Sequence, residues 1–378
     1  MKKIVLTGGG TAGHVTPNIA LIPTLKEKGY EIHYIGSYNG IEKKLIEELD
    51  IPYYGIATGK LRRYLSLKNL TDPFKVIKGL NEVGRILRKI KPDVVFSKGG
   101  FVAVPVVVAA HALRIPCIIH ESDMTPGLAN KIAIPRASKV CCNFPETLDK
   151  LPAGKAVVTG TPIRKELFEG DSARAMTFCG FKETRPTLLI VGGSTGSVRV
   201  NEAIWSCLDE ITKKYNVIHL CGKDKTNKDK PNTENYVQFE YIKSELADLL
   251  SLADVVVSRA GANAICELLA LKKPAVLIPL SLEASRGDQI LNARSFEKSG
   301  YSKLLEEENV NDTSLLEAIN EVYDNREKYI NAMNTAHQTD AITKIVGLIE
   351  ETAESKKAKK AKSSKKKKDE KDNEASEN

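Results

Sequence analysis

Short, continuously apolar segments alternate along this chain with longer segments of mixed polarity. Strands that are buried on both faces of a parallel sheet have this pattern, and the intervening segments are long enough for helices. The pattern therefore predicts an α/β fold with two doubly wound domains. The apolar segments are KKIVLT, EIHYIGS, DVVFSKG, PCIIHE and KVCCNF in the first half and PTLLIV, NVIHLCG, YVQFEYI, DVVVSRAG and PAVLIPL in the second.

The two halves begin alike, because KKIVLTGGGTAGH and PTLLIVGGSTGS each read as a strand, a glycine turn and a helix start. The strand pattern lapses over 160–186, which places the predicted boundary there. We predict domains over 1–163 and 164–340, and a helix over 341–354 that packs back on the first domain. The tail over 355–378 has no aromatic or β-branched residue, so we expect it to be disordered.

The composition narrows the class of protein. Seven cysteines without a C-x-x-C motif or a Cys/His cluster argue against a disulfide framework and a zinc site, so we expect a reducing compartment. A strand beginning at residue 3 leads us to expect no signal peptide. The most apolar run, FVAVPVVVAA, is half the length that a membrane-spanning helix needs.

Charge is distributed unevenly along the chain. Residues 1–163 carry 23 Lys and Arg against 13 Asp and Glu, whereas 164–354 carry a net charge of −7. The segment over 60–91 has ten basic residues, with Leu67, Leu70, Phe74, Ile77 and Leu80 among them. This combination suits an anionic membrane surface, or equally a helix whose apolar face packs on its own sheet. Nucleic acid is a poor partner, because the segment lacks a known binding motif.

The first glycine turn reads G-x-G-x-x-G at Gly8, Gly10 and Gly13. Such a turn lets a ligand approach the backbone at a helix start, but the motif alone is weak evidence. Dinucleotide binding also needs an acidic residue at the end of the second strand, which here ends in Gly36 and Ser37. The sequence therefore disfavours a nicotinamide cofactor.

Three features of the second half are candidates for a nucleotide site. GGSTGS carries Ser194 at its tip, SRAGANAICE leads into a helix that contains Glu267, and SRGDQILNA places Gln289 and Asn292 on one helical face. A carboxylate such as Glu267 could bind a ribose diol. Taken singly, however, Glu267 is more often a surface residue that complements the helix dipole, and Gln289 and Asn292 are more often solvated helix positions. Because they follow neighbouring strands, together they indicate one crevice at the carboxyl edge of the sheet.

These residues also form a recognisable series. The chain resembles the MurG family, bacterial enzymes that transfer N-acetylglucosamine (GlcNAc) from UDP-GlcNAc to lipid I, the undecaprenyl-linked precursor of peptidoglycan. The resemblance covers residues 1 to about 350. The matching blocks, in family order, are GGTAGHVTPN, SKGGFVAVP, HESDMTPGLANK, GTPIR, VGGSTGS, DVVVSRAGANAICEL and GDQILNA.

The resemblance implies a fold, partners and a location. The fold is the GT-B architecture, in which two Rossmann-like domains face a cleft, the first for the acceptor and the second for UDP-GlcNAc. The implied partners are UDP-GlcNAc, lipid I and an anionic membrane surface, with other cell-wall enzymes an open expectation. The enzyme would lie peripherally on the cytoplasmic face of the cell membrane and need neither metal nor cofactor.

The resemblance also implies roles for individual residues. His14 and Glu121 are the charged positions nearest the reaction centre, and either could be the catalytic base. Glu267 would bind the ribose, Ile242 would border the uracil, and Gln289 would contact the GlcNAc hydroxyls. The other implied substrate-binding residues are Gly10, Thr11, Ala12 and Gly13 of the first glycine loop, Asp123, Arg164, Ser194, the diphosphate loop Gly261, Ala262 and Asn263, and Asn292.

Two positions depart from the family pattern. Phe101 stands where a tyrosine is frequent, so no phenol can act there. The block HESD places Asp123 where an asparagine is usual, which leaves the role of Asp123 open.

The residues suggest how such a transfer would proceed. The transition state would resemble an oxocarbenium ion, with negative charge developing on the leaving diphosphate. No paired carboxylates follow a strand near the expected cleft, so helix N-termini and Arg164 would supply the positive potential. We expect His14 in the first turn of a helix, where the dipole would keep the imidazole neutral and able to accept a proton.

Other functions stay open at this point. One is a related glycosyltransferase with another lipid or a polyketide-like acceptor. A second is a non-catalytic protein that binds nucleotide sugars, although the presence of His14, Glu121, Glu267 and Gln289 argues against a degenerate site.

Overall fold

The structure is a computed structural model that describes residues 1–59, 68–193, 196–242, 244–283, 285–336 and 340–356, and within 68–73 only the backbone. Its contacts divide the chain into two compact units. The first unit comprises Met1–Glu121, Pro126–Pro162 and the chain from Asp340 onward. The second comprises Ser122–Thr125 and Ile163–Thr339.

The first unit is built on a parallel sheet with the strand order β3-β2-β1-β4-β5-β6-β7 across the described residues. Every neighbouring pair in this sheet is parallel. The strands are β1 (Lys2–Thr7), β2 (Tyr30–Ser37), β3 (Tyr53–Ile56), β4 (Val94–Ser97), β5 (Cys117–Glu121), β6 (Lys139–Cys142) and β7 (Ala156–Val158).

Helices connect these strands, as parallel pairing requires. They are α1 (Thr16–Glu27), α2 (Ile41–Glu47), α3 (Lys68–Ile90), α4 (Ala103–Ala112) and α5 (Leu128–Ala133). Shorter 3-10 turns cover Ala12–His14, Ile134–Arg136 and Pro145–Lys150.

The apolar core of the first unit lies on both faces of its sheet. Val5 packs in a cluster with Val83 and Leu87 of α3, whereas its neighbours Ile4 and Leu6 belong to a cluster on the other face. Adjacent strand residues point to opposite faces, so both faces need apolar side chains. This explains why the strands read as continuous apolar runs.

The second unit repeats this design with the strand order β10-β9-β8-β11-β12-β13, all parallel within the described residues. Its strands are β8 (Thr187–Val191), β9 (Asn216–Leu220), β10 (Tyr236–Phe239), β11 (Val255–Ser258), β12 (Ala275–Leu277) and β13 (Ser302–Leu304). Its helices are α6 (Ser172–Cys179), α7 (Val198–Ser206), α8 (Leu208–Lys214), α9 (Leu246–Leu252), α10 (Ala262–Ala270), α11 (Asp288–Lys298), α12 (Asp312–Asp324) and α13 (Arg326–Asn334). Further 3-10 turns cover Lys165–Phe168 and Glu307–Asn309.

Strand order reverses between β1 and β4 in the first unit and between β8 and β11 in the second. In open α/β sheets, ligands bind beyond the carboxyl ends of the strands at such switch points. The two glycine turns noted in the sequence follow β1 and β8. Each unit therefore presents its glycine turn where its topology favours a ligand.

A further helix, α14, covers 341–356 and belongs to the first unit. Ile345, Val346 and Ile349 of this helix pack in the same apolar cluster as Ile4 and Leu6 of β1. It extends two residues into the range expected to be disordered, and Lys356 Nζ donates to the carbonyl of Pro92 at 2.7 Å. The rest of the predicted tail lies outside the described residues.

We expect Ile349→Ala to lower the free energy of unfolding of the first unit by about 2–5 kcal/mol, because it leaves a cavity in a fully buried cluster. Glu351→Ala, on the exposed side of α14, is the matched control and should cost less than about 0.5 kcal/mol. Urea unfolding followed by far-UV circular dichroism measures both. Equal midpoints for the two variants would contradict this packing.

Candidate functional site

The first glycine loop follows β1 and is held by close backbone contacts. A Cβ on Gly8 would lie 2.4 Å from the carbonyl oxygen of His14, so no side chain fits there. Gly10 has φ +89° and rests against the ring of Phe101, which would lie 2.7 Å from an added Cβ. The amide of Gly10 donates to Glu42 Oε2 at 3.2 Å. The carboxylate of Glu42 therefore holds this loop in place through the amide of Gly10.

His14 ends the 3-10 turn Ala12–His14, and α1 begins only at Thr16. The expectation of a position in the first α-helical turn was therefore wrong. Burial, followed by the positive charge of Lys98, lowers the pKa of His14 to about 4, while Glu42 acts in the opposite direction. The imidazole is neutral at pH 7, as expected, but through burial and a neighbouring cation.

The hydroxyl of Thr11 lies 2.9 Å from Nδ1 of His14. When Nδ1 carries the proton and donates to the hydroxyl, Nε2 is left as the proton acceptor. Thr11, expected to contact substrate, thus also contacts His14 directly.

Lys98 follows β4 and is almost fully buried, with its Nζ 3.0 Å from Nδ1 of His120. On its other side, His120 places Nε2 2.9 Å from the carbonyl oxygen of Gly160. An ammonium can only donate and a carbonyl can only accept, so His120 carries its proton on Nε2. Burial and Lys98 lower the pKa of His120 well below its ordinary value.

Glu121 ends β5 and is buried. Its Oε2 accepts hydrogen bonds from the amide of Gly127 at 3.1 Å and from Nδ2 of Asn130 at 2.8 Å. These contacts tie the carboxylate to the start of α5. They indicate that Glu121 has a structural role, which is to fix the start of α5.

The glycine loop after β8 is packed as closely as the first. A Cβ on Gly196, whose φ is +70°, would lie 2.0 Å from the carbonyl oxygen of Cys221. Ser197 caps α7, its hydroxyl accepting from the amide of Val200 at 3.4 Å. Ser194, predicted to contact substrate, lies outside the described residues.

The loop after β11 leads into α10, with Gly261 at the N-cap and Ala262 and Asn263 in the first turn. Burial raises the pKa of Glu267, one turn further on, to about 7, and Arg164 acts to lower it. Arg164 is partly buried, and its Nε has no hydrogen-bond acceptor among the described residues. A carboxyl and a guanidinium that influence each other here could both bind a polar ligand.

Gln289 and Asn292 lie on α11, as predicted, but their amides have different surroundings. Gln289 is partly exposed, and its Oε1 accepts from the amide of Leu280 at 3.1 Å. Asn292 is fully buried, donating to Asp123 Oδ1 at 3.1 Å and to the carbonyl of Ala260 at 3.3 Å. Its own Oδ1 accepts from the amide of Met124 at 3.2 Å.

These contacts explain why Ser122–Thr125 clusters with the second unit. Thr125 adds a hydrogen bond to Asp288 Oδ1 at 3.0 Å. Asp123, an implied substrate-binding residue whose exact role the sequence left open, is a hydrogen-bond partner of Asn292. Ile242, predicted to border the uracil, is buried in the segment after β10.

A buried ion pair behind these loops escaped prediction. Arg259 follows β11 and pairs with Glu307, while its Nη2 also donates to the hydroxyl of Ser197 at 2.6 Å. The second carboxylate oxygen of Glu307 accepts from the amide of Ser281 at 3.0 Å. Although burial acts to raise it, hydrogen bonds from Arg259 and Ser281 hold the pKa of Glu307 below its ordinary value. This ion pair connects the ends of β8, β11 and β12.

Comparison with known proteins shows which protein family this chain resembles in sequence and fold. The chain matches the models of the glycosyltransferase family 28 N-terminal domain over 4–142 and the family 28 C-terminal domain over 187–376. A relative from Lachnoclostridium phytofermentans, named UDP-N-acetylglucosamine--N-acetylmuramyl-(pentapeptide) pyrophosphoryl-undecaprenol N-acetylglucosamine transferase, is 64% identical over 93% of this chain and 99% of its own length. A relative of the same name from Lachnospira eligens is 62% identical over 94% of this chain and 100% of its own.

The chain belongs to the MurG family. The crystal structure of MurG from Acinetobacter baumannii has a TM-score of 0.72 to this structure at 27% identity, covering 93% of this chain and all of that one. Membership confirms the predicted fold class, two Rossmann-like α/β domains of the GT-B type, and makes the chain a glycosyltransferase. The individual site residues stay predictions, now with known surroundings.

The raised pKa of Glu267 gives a direct test of its surroundings. Its carboxyl is protonated below pH 4.5 in both states, whereas above that pH the folded state keeps the proton until about pH 7. Stability of the second unit should therefore fall as pH rises from about 4.5 to 7, by about 3 kcal/mol at most.

Glu267→Gln should remove this fall, because the amide stays neutral throughout. Thermal unfolding from pH 4 to 8, in the absence of ligands, measures the difference between the variant and the parent chain. Glu317→Gln, on an exposed position of α12, serves as the control and should follow the parent chain. A constant difference between Glu267→Gln and the parent across this pH range would contradict the burial of this carboxylate.

Proposed function

We propose that this chain transfers GlcNAc from UDP-GlcNAc to the C4 hydroxyl of the N-acetylmuramic acid of lipid I, forming lipid II for peptidoglycan. The observation that carries this proposal is the 64% identity, over nearly the whole of both chains, to a relative named for this transfer. The reaction is an inverting displacement, in which the acceptor oxygen attacks the anomeric carbon while UDP departs from the opposite face.

The donor site we propose lies in the second unit. The N-terminus of α10, with Gly261, Ala262 and Asn263, offers backbone N–H groups to the diphosphate, and Arg164 adds a positive charge. Helix dipole and guanidinium together stabilise the leaving UDP without a metal ion. Ser194, which lies outside the described residues, stays a predicted donor contact.

Three side chains orient the rest of the donor. Glu267 accepts hydrogen bonds from the ribose diol, and the ligand shifts its carboxyl towards the charged form, because those bonds favour the carboxylate. Ile242 borders the uracil. Gln289, whose Oε1 is occupied by Leu280, donates its amide protons to the GlcNAc hydroxyls.

We assign Asn292 and Asp123 a supporting part, which departs from the expectation that they contact substrate. The side-chain amide of Asn292 is already hydrogen-bonded to Asp123, Met124 and Ala260. Its role is to hold the carbonyl of Ala260, just before the diphosphate loop, in place.

The first unit supplies the acceptor side and the base. His14 fits the base role better than Glu121, because its imidazole is neutral at pH 7 and its Nδ1 is oriented by Thr11. Glu121 is bound to Gly127 and Asn130 instead. Gly10, Ala12 and Gly13 shape the loop around His14 so that a sugar hydroxyl can approach.

His14→Ala should lower kcat by about 100-fold or more while leaving the KM for UDP-GlcNAc within about threefold, since the base acts on the acceptor. UDP release from UDP-GlcNAc with a soluble lipid I analogue measures both, with UDP-GalNAc and UDP-glucose as donor controls. Added EDTA should leave the rate unchanged. Near-normal kcat in His14→Ala would remove His14 from the base role, and an inactive parent chain would overturn the transfer itself.

We propose that α3 brings the first unit to the membrane at its cytoplasmic face. Within the part of the chain that the structure describes, no helix combines the length and apolarity needed to cross a bilayer. The later half of α3 packs inward through Val83, Leu87 and Ile90, which was one of the two alternatives left by the sequence. Phe74 and Ile77, however, are 74% and 58% exposed.

Exposed lysines accompany these two apolar side chains. Lys75 and Lys78 lie on the same part of α3 as Phe74 and Ile77. Each basic residue near an anionic leaflet contributes about 1 kcal/mol, and exposed apolar side chains add insertion into the headgroup layer. Of the other residues expected to take part, Leu67 and the side chain of Leu70 lie outside the described residues.

The double variant Phe74→Ser/Ile77→Ser should bind vesicles of phosphatidylglycerol and phosphatidylcholine several-fold more weakly than the parent chain, because it removes the two large apolar side chains that are exposed among the described side chains of α3. Flotation at low and high salt measures this. Phe168→Ser, which removes an exposed phenylalanine of the second unit, is the control and should float like the parent. Failure of the parent chain to bind at low salt would contradict the membrane role.

A further inference from the structure

Glu42 is a fully buried carboxylate beneath the first glycine loop. It is the second residue of α2, far along the chain from the loop that it contacts. Oε2 accepts from the amide of Gly10 at 3.2 Å, and Oε1 accepts from the amide of Ser37 at 3.0 Å and from the hydroxyl of Ser37 at 2.5 Å. Both carboxylate oxygens are therefore hydrogen-bonded, as a buried charge requires.

Three glycines make room for this side chain. An added Cβ would lie 2.5 Å from the Glu42 carboxyl carbon at Gly9, 2.8 Å from its Cγ at Gly36, and 2.2 Å from its Oε1 at Gly40. None of the three has a φ in the left-handed region, so backbone conformation does not demand glycine there. At Gly9 and Gly40 the carboxylate fills this space, and at Gly36 the side chain of Glu42 shares it with the hydroxyl of Tyr53, which would lie 2.3 Å from an added Cβ.

The position of this carboxylate indicates whether the first glycine loop can bind a phosphate through the amide of Gly10. In a dinucleotide site, an acidic residue near the end of the second strand faces the ribose. Here β2 ends at Ser37 and the acidic residue five positions later faces inward, accepting the Gly10 N–H that a phosphate would otherwise take. A buried negative charge at this point also repels a phosphate. The Gly10 amide therefore serves Glu42 and not an anionic ligand.

Two buried charges influence His14 from different elements. Glu42 reaches the loop from α2, and Lys98 reaches it from the end of β4, with its Cβ 3.2 Å from the Cβ position of Gly8. His14 lies between these contacts: its carbonyl oxygen is 2.4 Å from that same Gly8 position, and its Nδ1 is 3.4 Å from the Cβ position of Gly100. The hydroxyl of Thr11 lies 2.9 Å from the same Nδ1.

We propose that Glu42 is a positioning residue for the transfer reaction: its buried carboxylate holds the loop that carries His14 and stabilises the imidazolium formed when His14 takes the proton of the acceptor hydroxyl. The inference rests on the proposed function in that it assigns proton abstraction to His14. In that step the O–H bond of the acceptor breaks, its proton moves to Nε2, and the oxygen forms the bond to the anomeric carbon as UDP departs. Burial and, after it, the charge of Lys98 oppose this charge and keep the resting imidazole neutral.

The electrostatic part is tested without any substrate. Glu42 acts to raise the pKa of His14 and Lys98 acts to lower it, so the pKa of His14 should rise in Lys98→Met and fall again in Lys98→Met/Glu42→Gln. Titration of the His14 ring by NMR, assigned with His14→Ala, measures this. Glu47→Gln, the same substitution at an exposed position of α2, is the matched control and should leave the titration unchanged. An identical His14 pKa with and without the Glu42 carboxylate would overturn the inference.

The kinetic part uses UDP release with the lipid I analogue. Glu42→Gln should lower kcat about 10-fold and leave the KM for UDP-GlcNAc within about twofold, because the donor binds in the other unit. The acid limb of its pH–rate profile should move to lower pH. Glu42→Asp, which keeps the charge, should recover most of kcat. Unchanged kcat in Glu42→Gln would overturn the inference, whereas an inactive parent chain would overturn the proposed function and leave the NMR test standing.

Circular dichroism and thermal unfolding show whether Glu42→Gln folds. If it does not, two variants that change the space around Glu42, Gly9→Ala and Gly9→Ala/Glu42→Asp, test the inference instead. Gly9→Ala places a methyl group where the Glu42 carboxyl lies and should displace the carboxylate from the loop without removing it. We expect kcat to fall about 10-fold, and the shorter side chain in Gly9→Ala/Glu42→Asp to restore part of it. Full activity of Gly9→Ala, or no recovery in the double variant, would contradict the positioning role.

Discussion

Close contact between backbone segments at the carboxyl ends of the strands is the constraint on which both sites depend. In the first unit, a Cβ on Gly100 would lie 2.4 Å from the carbonyl oxygen of Gly9, so the loops after β4 and β1 pack with no side chain between them. In the second unit, Gly196 packs in the same way against the carbonyl of Cys221 at the end of β9. These contacts fix the backbone at Gly9, Gly100 and Gly196, and a backbone that is fixed in advance loses less conformational entropy when a ligand binds.

Each of these loops is also backed by a buried carboxylate from a distant part of the chain. Glu42 holds the loop after β1, and Glu307, through Arg259, connects the loops after β8, β11 and β12. Buried charges add little net stability, because desolvation offsets the attraction. Their value here is geometric, since a charged acceptor fixes the donors around it more strictly than an apolar contact would.

The fold could be predicted from the sequence as far as the central strands, because two buried faces produce continuous apolar runs. The edge strands β3, β7 and β13 were missed, since most of their residues are only half-buried and they do not read as continuous apolar runs. The glycine turns could be predicted because local spacing marks them, and the same local signals made Glu267 and Gln289 candidates, which stay predictions. Glu42, Lys98 and Glu307 were missed because their partners are distant in sequence, and an acidic residue at a helix start resembles an ordinary dipole partner.

The packing of α14 on the first unit has a consequence for how the protein is made. During translation, the residues of β1 leave the ribosome first and those of 341–356 only after the whole second unit has been synthesised. Until then, the face of the sheet that carries Ile4 and Leu6 lacks the side chains of Ile345 and Ile349 that complete its core. The first unit can therefore complete this core only after the second has been synthesised, and part of its apolar face stays uncovered during that interval.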